Sequence, residues 1–275
     1  MNAPINRCGL EGKNLCLLRH GTTIVDSVNI RVAPGRVLAI LGPNGAGKTS
    51  VLRMLGGLTP PSSGHVMHVG NERASPVDLY DIPAAARSRQ ISIHVSEHTP
   101  SFHWTCIEVV LMGRAPHLGY RSMESRDDVH LAASALSVMD AEHLSHRSIT
   151  SLSAGERQRV LIARTLCQDT PIVLLDEPTS HLDPAHALSL VKTLRELAGR
   201  GKAVVVVLHD PNLAARAADE ILFMKAGRVI SVGGPDASLR PRIIHEVYGV
   251  ESQRISSSPP AIVWGGREED VPDGL

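Results

Sequence analysis

The segment Gly42-Pro43-Asn44-Gly45-Ala46-Gly47-Lys48-Thr49-Ser50 carries the glycine, Gly-Lys and hydroxyl spacing of a phosphate-binding loop. Such chemistry needs these residue types. Glycines let the backbone curl so that successive N–H groups converge on phosphate oxygens. Lys48 supplies a mobile positive charge for the outer phosphates, and Thr49 offers a hydroxyl to Mg²⁺. A second group of acids, Asp176-Glu177, ends the apolar run Ile172-Val173-Leu174-Leu175. Behind a phosphate loop this pair gains meaning. Asp176 is suited to holding Mg²⁺, directly or through water, and Glu177 to polarising an attacking water.

These residues need elements to hold them. A short apolar strand, Arg36–Leu41, leads into the loop, and a helix from about Thr49 to Leu55 leaves it with its positive end toward the same anion. Before it, Lys13–Leu18 and Thr23–Val32 read as antiparallel strands turning near Gly21, and Pro60–Gly64 as a loop. A further strand covers Gln90–Val95. From Thr105 to about His146 the period is helical, with Val129, Ala132, Ala133, Leu136 and Met139 on one stripe, which predicts an inserted helical subdomain at about 104–152. Strands then alternate with helices: helix 155–168, strand Ile172–Leu175, helix 185–198, strand Ala203–Leu208, helix 211–218. Short unbroken apolar strands in that rhythm predict a parallel sheet covered on both faces. A hairpin around Ala226-Gly227 and a helix near Leu239–Tyr248 complete a single domain over 1–256, and the Ser-, Pro- and acid-rich segment 257–275 reads as a weakly ordered tail.

Composition narrows the function classes. The 275 residues include 43% hydrophobic and 20% charged, with 28 basic against 28 acidic side chains. That balance offers no basic field for nucleic acid, and seven Phe, Trp and Tyr residues leave little for a base-stacking platform. The longest apolar run, Ala203–Leu208, is six residues against the roughly 20 that cross a bilayer. The four cysteines form no Cys-x-x-Cys pair. A soluble, cytosolic chain that reaches a membrane only through partners is the expectation.

Between the two acid-and-phosphate segments stands Leu152-Ser153-Ala154-Gly155-Glu156-Arg157-Gln158-Arg159, opening a helix. The order of phosphate loop, this signature, Asp176-Glu177-Pro178-Thr179-Ser180, Leu182-Asp183 and Val207-Leu208-His209-Asp210 resembles the ATP-binding subunits of ABC transporters over about residues 10–250. The resemblance implies an α/β fold: a P-loop NTPase (RecA-like) core with an antiparallel β subdomain and an inserted helical subdomain. It implies ATP and Mg²⁺ as ligands and a head-to-tail pair of such chains. Each nucleotide then touches Gly42–Ser50 of one chain and, in trans, Ser153, Gly155 and Glu156 of the other. His209 resembles the switch histidine that acts with Glu177, and Asp183 the residue linking the two sites. Val109–His117, with Gly113-Arg114-Ala115-Pro116-His117, is similar to the importer class that handles iron–siderophores, haem and cobalamin. That class implies transmembrane permease subunits, an extracytoplasmic substrate-binding protein and a peripheral place on the cytoplasmic face of the inner membrane.

The chain also departs from the family. The Mg²⁺-contacting glutamine position falls on Ser96, whose side chain is shorter by roughly 2–2.5 Å of reach; Ser96, Glu97 or a water could fill the role. Ala154 stands where glycine is usual. The adenine-stacking position before the first turn is His20, whose imidazole can stack or stay a plain exposed ring. His94, His98 and His103 straddle a strand end and a loop instead of sharing one face, which argues against a metal site. Two other function classes compete with the transport motor. Ser96 and Ala154 favour a regulatory nucleotide-binding module without turnover, against which stand Lys48, Asp176, Glu177 and His209. A soluble ABC ATPase acting on ribosomes or DNA would be expected to carry two cassettes or long coiled-coil insertions, and neither is present.

Overall fold

The computed structural model describes residues 8–70, 75–95, 103–118 and 123–265. Strands β1 (Gly9–Arg19) and β2 (Thr22–Val32) pair antiparallel around His20-Gly21. The fully buried β3 (Val37–Leu41) leads through the phosphate loop into α1 (Lys48–Leu55). Next come β4 (Ser63–Val69), β5 (Val77–Asp78), α2 (Ala84–Arg87) and β6 (Ile91–His94). Helices α3 (Cys106–Leu111), α4 (Ala115–Leu118) and α5 (Arg126–Val138) form the inserted helical region. The α/β rhythm then resumes with α6 (Ala154–Cys167), β7 (Ile172–Asp176), α7 (Pro184–Gly199), β8 (Ala203–Val207) and α8 (Pro211–Ala217). A hairpin of β9 (Glu220–Lys225) and β10 (Arg228–Gly233) precedes α9 (Pro235–Ser238) and α10 (Pro241–Tyr248), and β11 (Ser252–Ile255) pairs with β12 (Ala261–Trp264).

Two sheets carry the molecule. The larger runs β10-β9-β3-β8-β7-β6, parallel except for the edge strand β10; the smaller, antiparallel, runs β2-β1-β4-β5. Alternation along β3 feeds two cores. Leu38 and Ile40 pack with α1 residues Val51, Leu52 and Leu55 beneath the smaller sheet, while Val37, Ala39 and Leu41 join α6 and α7 on the other side. Each such Val, Leu or Ile side chain contributes roughly 1.5–3 kcal/mol of burial, which fixes the carboxyl ends of β3, β7 and β8 as a rigid rim. Ligands of open α/β sheets bind at that rim.

Three expectations are corrected. Val129 is 46% exposed; the buried stripe of α5 is Ala132, Ala135, Leu136 and Met139. The cause is Asp128, which turns inward because it pairs with Arg114 at 2.8 Å and takes the Ser125 N–H at 2.9 Å. The Pro60–Gly64 loop ends earlier than expected, since Ser63 and Gly64 already belong to β4, paired with β1. The supposed tail from 257 onward is ordered through residue 265: β12 buries Ile262 against the larger core.

Candidate active site

Backbone form comes first. Gly42 has φ 148°, and a Cβ there would lie 2.1 Å from the Met224 carbonyl oxygen; Gly47 has φ 95°, with Ile24 O 2.7 Å away from such a Cβ. Neither position accepts a side chain, so the loop keeps its amides facing inward. Lys48 is buried, and its Nζ donates to the carbonyls of Gly42 at 2.8 Å and Pro43 at 3.0 Å. Burial pulls the Lys48 ammonium below its ordinary pKa, with Glu177 and Asp176 opposing that shift. An ammonium held by two carbonyls in a desolvated loop is suited to a phosphate.

Thr49 Oγ1 donates to Asp176 Oδ1 at 3.2 Å. Asp176 is buried at the end of β7, and burial raises its pKa above the carboxylate norm; neighbouring Glu177 adds to the rise. A hydroxyl and a carboxylate are hard oxygen donors, which suit Mg²⁺, and a cation there would favour the ionised acid that burial disfavours. The residues present therefore fit the group.

Glu177 adopts φ 45°, a left-handed conformation unusual for a glutamate. Its N–H donates to Val207 O at 3.1 Å, and its carbonyl accepts from the Ser180 N–H at 3.1 Å and from the Ser180 hydroxyl. These bonds over-determine the bend, which turns the carboxylate to His209: Nε2 lies 2.8 Å from Glu177 Oε1. An open cavity of about 490 Å³ is lined by Ile24, Asn44 through Ser50, Glu177 and His209. One site thus gathers Asn44, Gly45, Ala46, Gly47, Lys48, Thr49, Ser50, Glu177 and His209. Ile24 was not anticipated; its only signal in the sequence is its place on the strand that closes over the loop.

The signature lies elsewhere. Ser153 caps α6 in a complete capping box: its N–H donates to Glu156 Oε2 at 2.8 Å, and its Oγ accepts the Glu156 N–H at 3.3 Å. A Cβ at Gly155 would come 2.7 Å from His181 O, so this glycine lets the helix abut the loop after β7. Ser153, Gly155 and Glu156 are not among the residues lining the cavity. His20 sits exposed in the β1–β2 turn with φ 49° and does not line it either. Ser96, Glu97 and His98 lie outside the described residues.

His94 is a core histidine. Burial, then Arg164, lowers its pKa to about 4, and its Nε2 lies 3.3 Å from Gln158 Nε2. Among the described residues no group of three His, Cys, Asp or Glu side chains could hold a metal. Arg114 is buried and His117 exposed, yet both have partners at one helix end. Arg114 Nη1 donates to Cys167 O at 3.0 Å, and His117 Nε2 lies 2.8 Å from Gln168 O, so both close the carboxyl end of α6.

Among the described residues no helix is long and apolar enough to cross a membrane. The profile of the ABC transporter family matches residues 25–180. The hemin import ATP-binding protein HmuV of Hahella chejuensis is 40% identical over 247 residues, covering 86% of this chain and 91% of that relative. The protein of the same name from Pseudomonas aeruginosa is 40% identical over 247 residues, covering 88% and 93%. The cobalamin import ATP-binding protein BtuD of Halobacterium salinarum is 38% identical over 229 residues, covering 83% of this chain and 56% of that protein. Among solved structures, an inward-facing ABC transporter assigned to the metal-chelate type superposes with TM-score 0.77 at 26% identity, over 94% of this chain and 98% of that one. A dimeric bacterial ABC transporter cassette superposes with TM-score 0.72 at 28% identity, over 82% and 98%. The family match spans the phosphate loop and the paired acids, and the chain belongs to the ABC transporter family as an ATP-binding, ATP-hydrolysing subunit.

Proposed function

We propose that this chain is the motor of an importer for a metal chelate of the iron–siderophore, haem or cobalamin type. It works as a head-to-tail pair at the cytoplasmic face of the inner membrane, beneath separate permease subunits that an extracytoplasmic binding protein supplies. The relatives named for hemin and cobalamin import, aligned over more than four-fifths of this chain, support the cargo class.

The observation that carries the catalytic reading is the convergence on one cavity of Lys48, Thr49 and the Glu177–His209 contact at 2.8 Å, with Asp176 behind the lining in contact with Thr49 at 3.2 Å. Asn44 through Ser50 cradle the phosphates with backbone N–H groups, and Lys48 leaves its two carbonyls to reach the outer ones. Thr49 and Asp176 would hold Mg²⁺, with Ser96 as a further candidate. When bound, Mg²⁺ neutralises charge that develops on the phosphates. Glu177 takes a hydrogen bond from the attacking water and accepts its proton at Oε, while His209 orients that carboxylate and the terminal phosphate. Ile24, which lines the cavity, is suited to face the adenine, and His20, exposed in the β1–β2 turn outside that lining, is a further candidate for stacking on it. Ser153, Gly155 and Glu156 serve the nucleotide of the second chain, and Asp183 joins the two sites.

The test is Glu177→Gln. ATP binding should persist while hydrolysis falls at least ~10²-fold, the low end for a positioned general base. In vesicles holding the permease subunits, haem uptake should stop with it. Unchanged turnover would remove Glu177 from the mechanism.

A further inference from the structure

The hairpin β11–β12 has four residues per strand, too little to persist alone in water. Arg254 of β11 ties it to Asp236 of α9, and two further attachments lead toward the active site. The first is Asn212. Its Nδ2 donates to Ile262 O at 3.0 Å, and its Oδ1 accepts the Ile262 N–H at 2.7 Å. The side-chain amide thus imitates a peptide group and pairs with β12 as another strand would. Asn212 lies in the first turn of α8, and its own N–H donates at 2.7 Å to Oδ1 of Asp210, the N-cap. His209, the partner of Glu177, is the residue before that cap.

The second is an aromatic series. Trp264 stands edge-on to Tyr248 with ring centres 5.7 Å apart, and Tyr248 edge-on to Phe223 at 6.2 Å. Phe223 pairs in register with Leu41, the last residue before the phosphate loop. Burial pushes the Tyr248 hydroxyl up to about 12, and the Gly42 backbone beside it opposes that shift. The hairpin is thereby fixed to the strand that carries the loop, while Asn212 fixes the start of α8 to the hairpin.

We propose that Asn212 is a positioning residue: through it the C-terminal hairpin sets the place of the α8 start and hence the approach of His209 to Glu177. The inference rests on the roles given above to those two residues. A plain tether would only stabilise the fold. A positioning link must instead lower turnover beyond what lost stability explains, because misplacement of a catalytic group by about 1 Å costs up to ~10²-fold.

The full-length chain separates these outcomes through Asn212→Ala, Asn212→Asp and a control, Leu213→Ala, which trims an apolar side chain of α8 packed on the core. ATPase kcat and KM for MgATP are measured with the melting temperature. Asn212→Ala should lower kcat about 5- to 100-fold with KM within about twofold. Asn212→Asp, which keeps the acceptor for Ile262 N–H, should fall between it and wild type and decides the matter if the alanine variant does not fold. Leu213→Ala should lose comparable melting temperature with a smaller loss of kcat. Equal kcat losses in Asn212→Ala and Leu213→Ala, unchanged kcat in both Asn212 variants, or KM rising in step with the fall in kcat would overturn the proposal. Wild-type turnover by Glu177→Gln would sink the parent reading instead, whatever Asn212 does.

Discussion

Two helix N-termini in this chain are assigned to phosphate, and they are built in opposite ways. At α1 the N-cap is Gly47, with no side-chain cap and no acid in the first turn. At α6 the N-cap Ser153 and the acid Glu156 satisfy one another's N–H groups. The first N–H groups of any helix lack internal partners. At α1 they are left for a ligand; at α6 two donors are already occupied, and a carboxylate sits where an anion would have to come. The difference teaches an order of events. Nucleotide should bind first at the open end, within one chain, and meet the closed end only when a second chain brings enough contact to displace or reorient the box.

Breaking the open end should have the largest effect. Lys48→Ala removes the lysine cation there, and ATP binding and hydrolysis should each fall about 10²-fold or more, the scale for losing a preorganised donor to a developing charge. Ser153→Ala should leave ATP binding by the isolated chain within about twofold and cost about 1 kcal/mol of stability as a lost cap. Its loss of turnover should appear only at chain concentrations where wild type associates. Titration of a fluorescent ATP analogue into both variants checks the contrast, and equal weakening would place both ends on the same nucleotide of one chain.

Next comes Gly155→Ala, which probes why the closed end tolerates no bulk. The position has an ordinary backbone conformation, so the objection is steric: the new methyl would lie 2.7 Å from His181 O. A shift of α6 to relieve it should cost about 1–3 kcal/mol, the usual range for overpacking. Urea unfolding measures this, and a neutral result would mean that the loop after β7 yields freely.

The legibility of these two ends in the sequence differed for physical reasons. The phosphate loop, Asp176-Glu177 and His209 are contiguous strings at strand ends, where a local pattern dictates local geometry, and they converge because parallel strands finish on one rim. The inward turn of Asp128 is not legible locally, because it depends on Arg114, fourteen residues away. The packing role of Gly155 depends on His181, and that of Asn212 on Ile262, fifty residues on; neither partner can be inferred from spacing. The hairpin was missed for a related reason. Ser- and Pro-rich composition suggested weak order, but the burial of Ile262, the edge-on contact of Trp264 with Tyr248 and the Asn212 amide supply the packing and pairing that composition does not show.

The smallest effect sharpens the comparison through pH. The Glu156 carboxyl is held below its ordinary pKa, first by the Ser153 N–H and then by the Ser153 hydroxyl. A carboxyl depressed in the folded state binds fewer protons there than in the unfolded chain. Its contribution to stability is therefore complete above the unfolded value and is lost as pH falls through the folded one. Glu156→Gln keeps an acceptor in the capping box but removes the charge, so it should cost only ~0.3–1 kcal/mol at neutral pH. That difference from wild type should shrink as pH falls below about 4.5 and vanish once the wild-type carboxyl is protonated. The open end of α1 has no acid in its first turn and can show no counterpart of this titration. Unfolding free energies of wild type and Glu156→Gln, measured in parallel from pH 7 to 3, cancel the other titrating groups. A difference that stayed constant across this range would mean that the box acts through hydrogen bonding alone, and the charge would no longer distinguish the closed end from the open one.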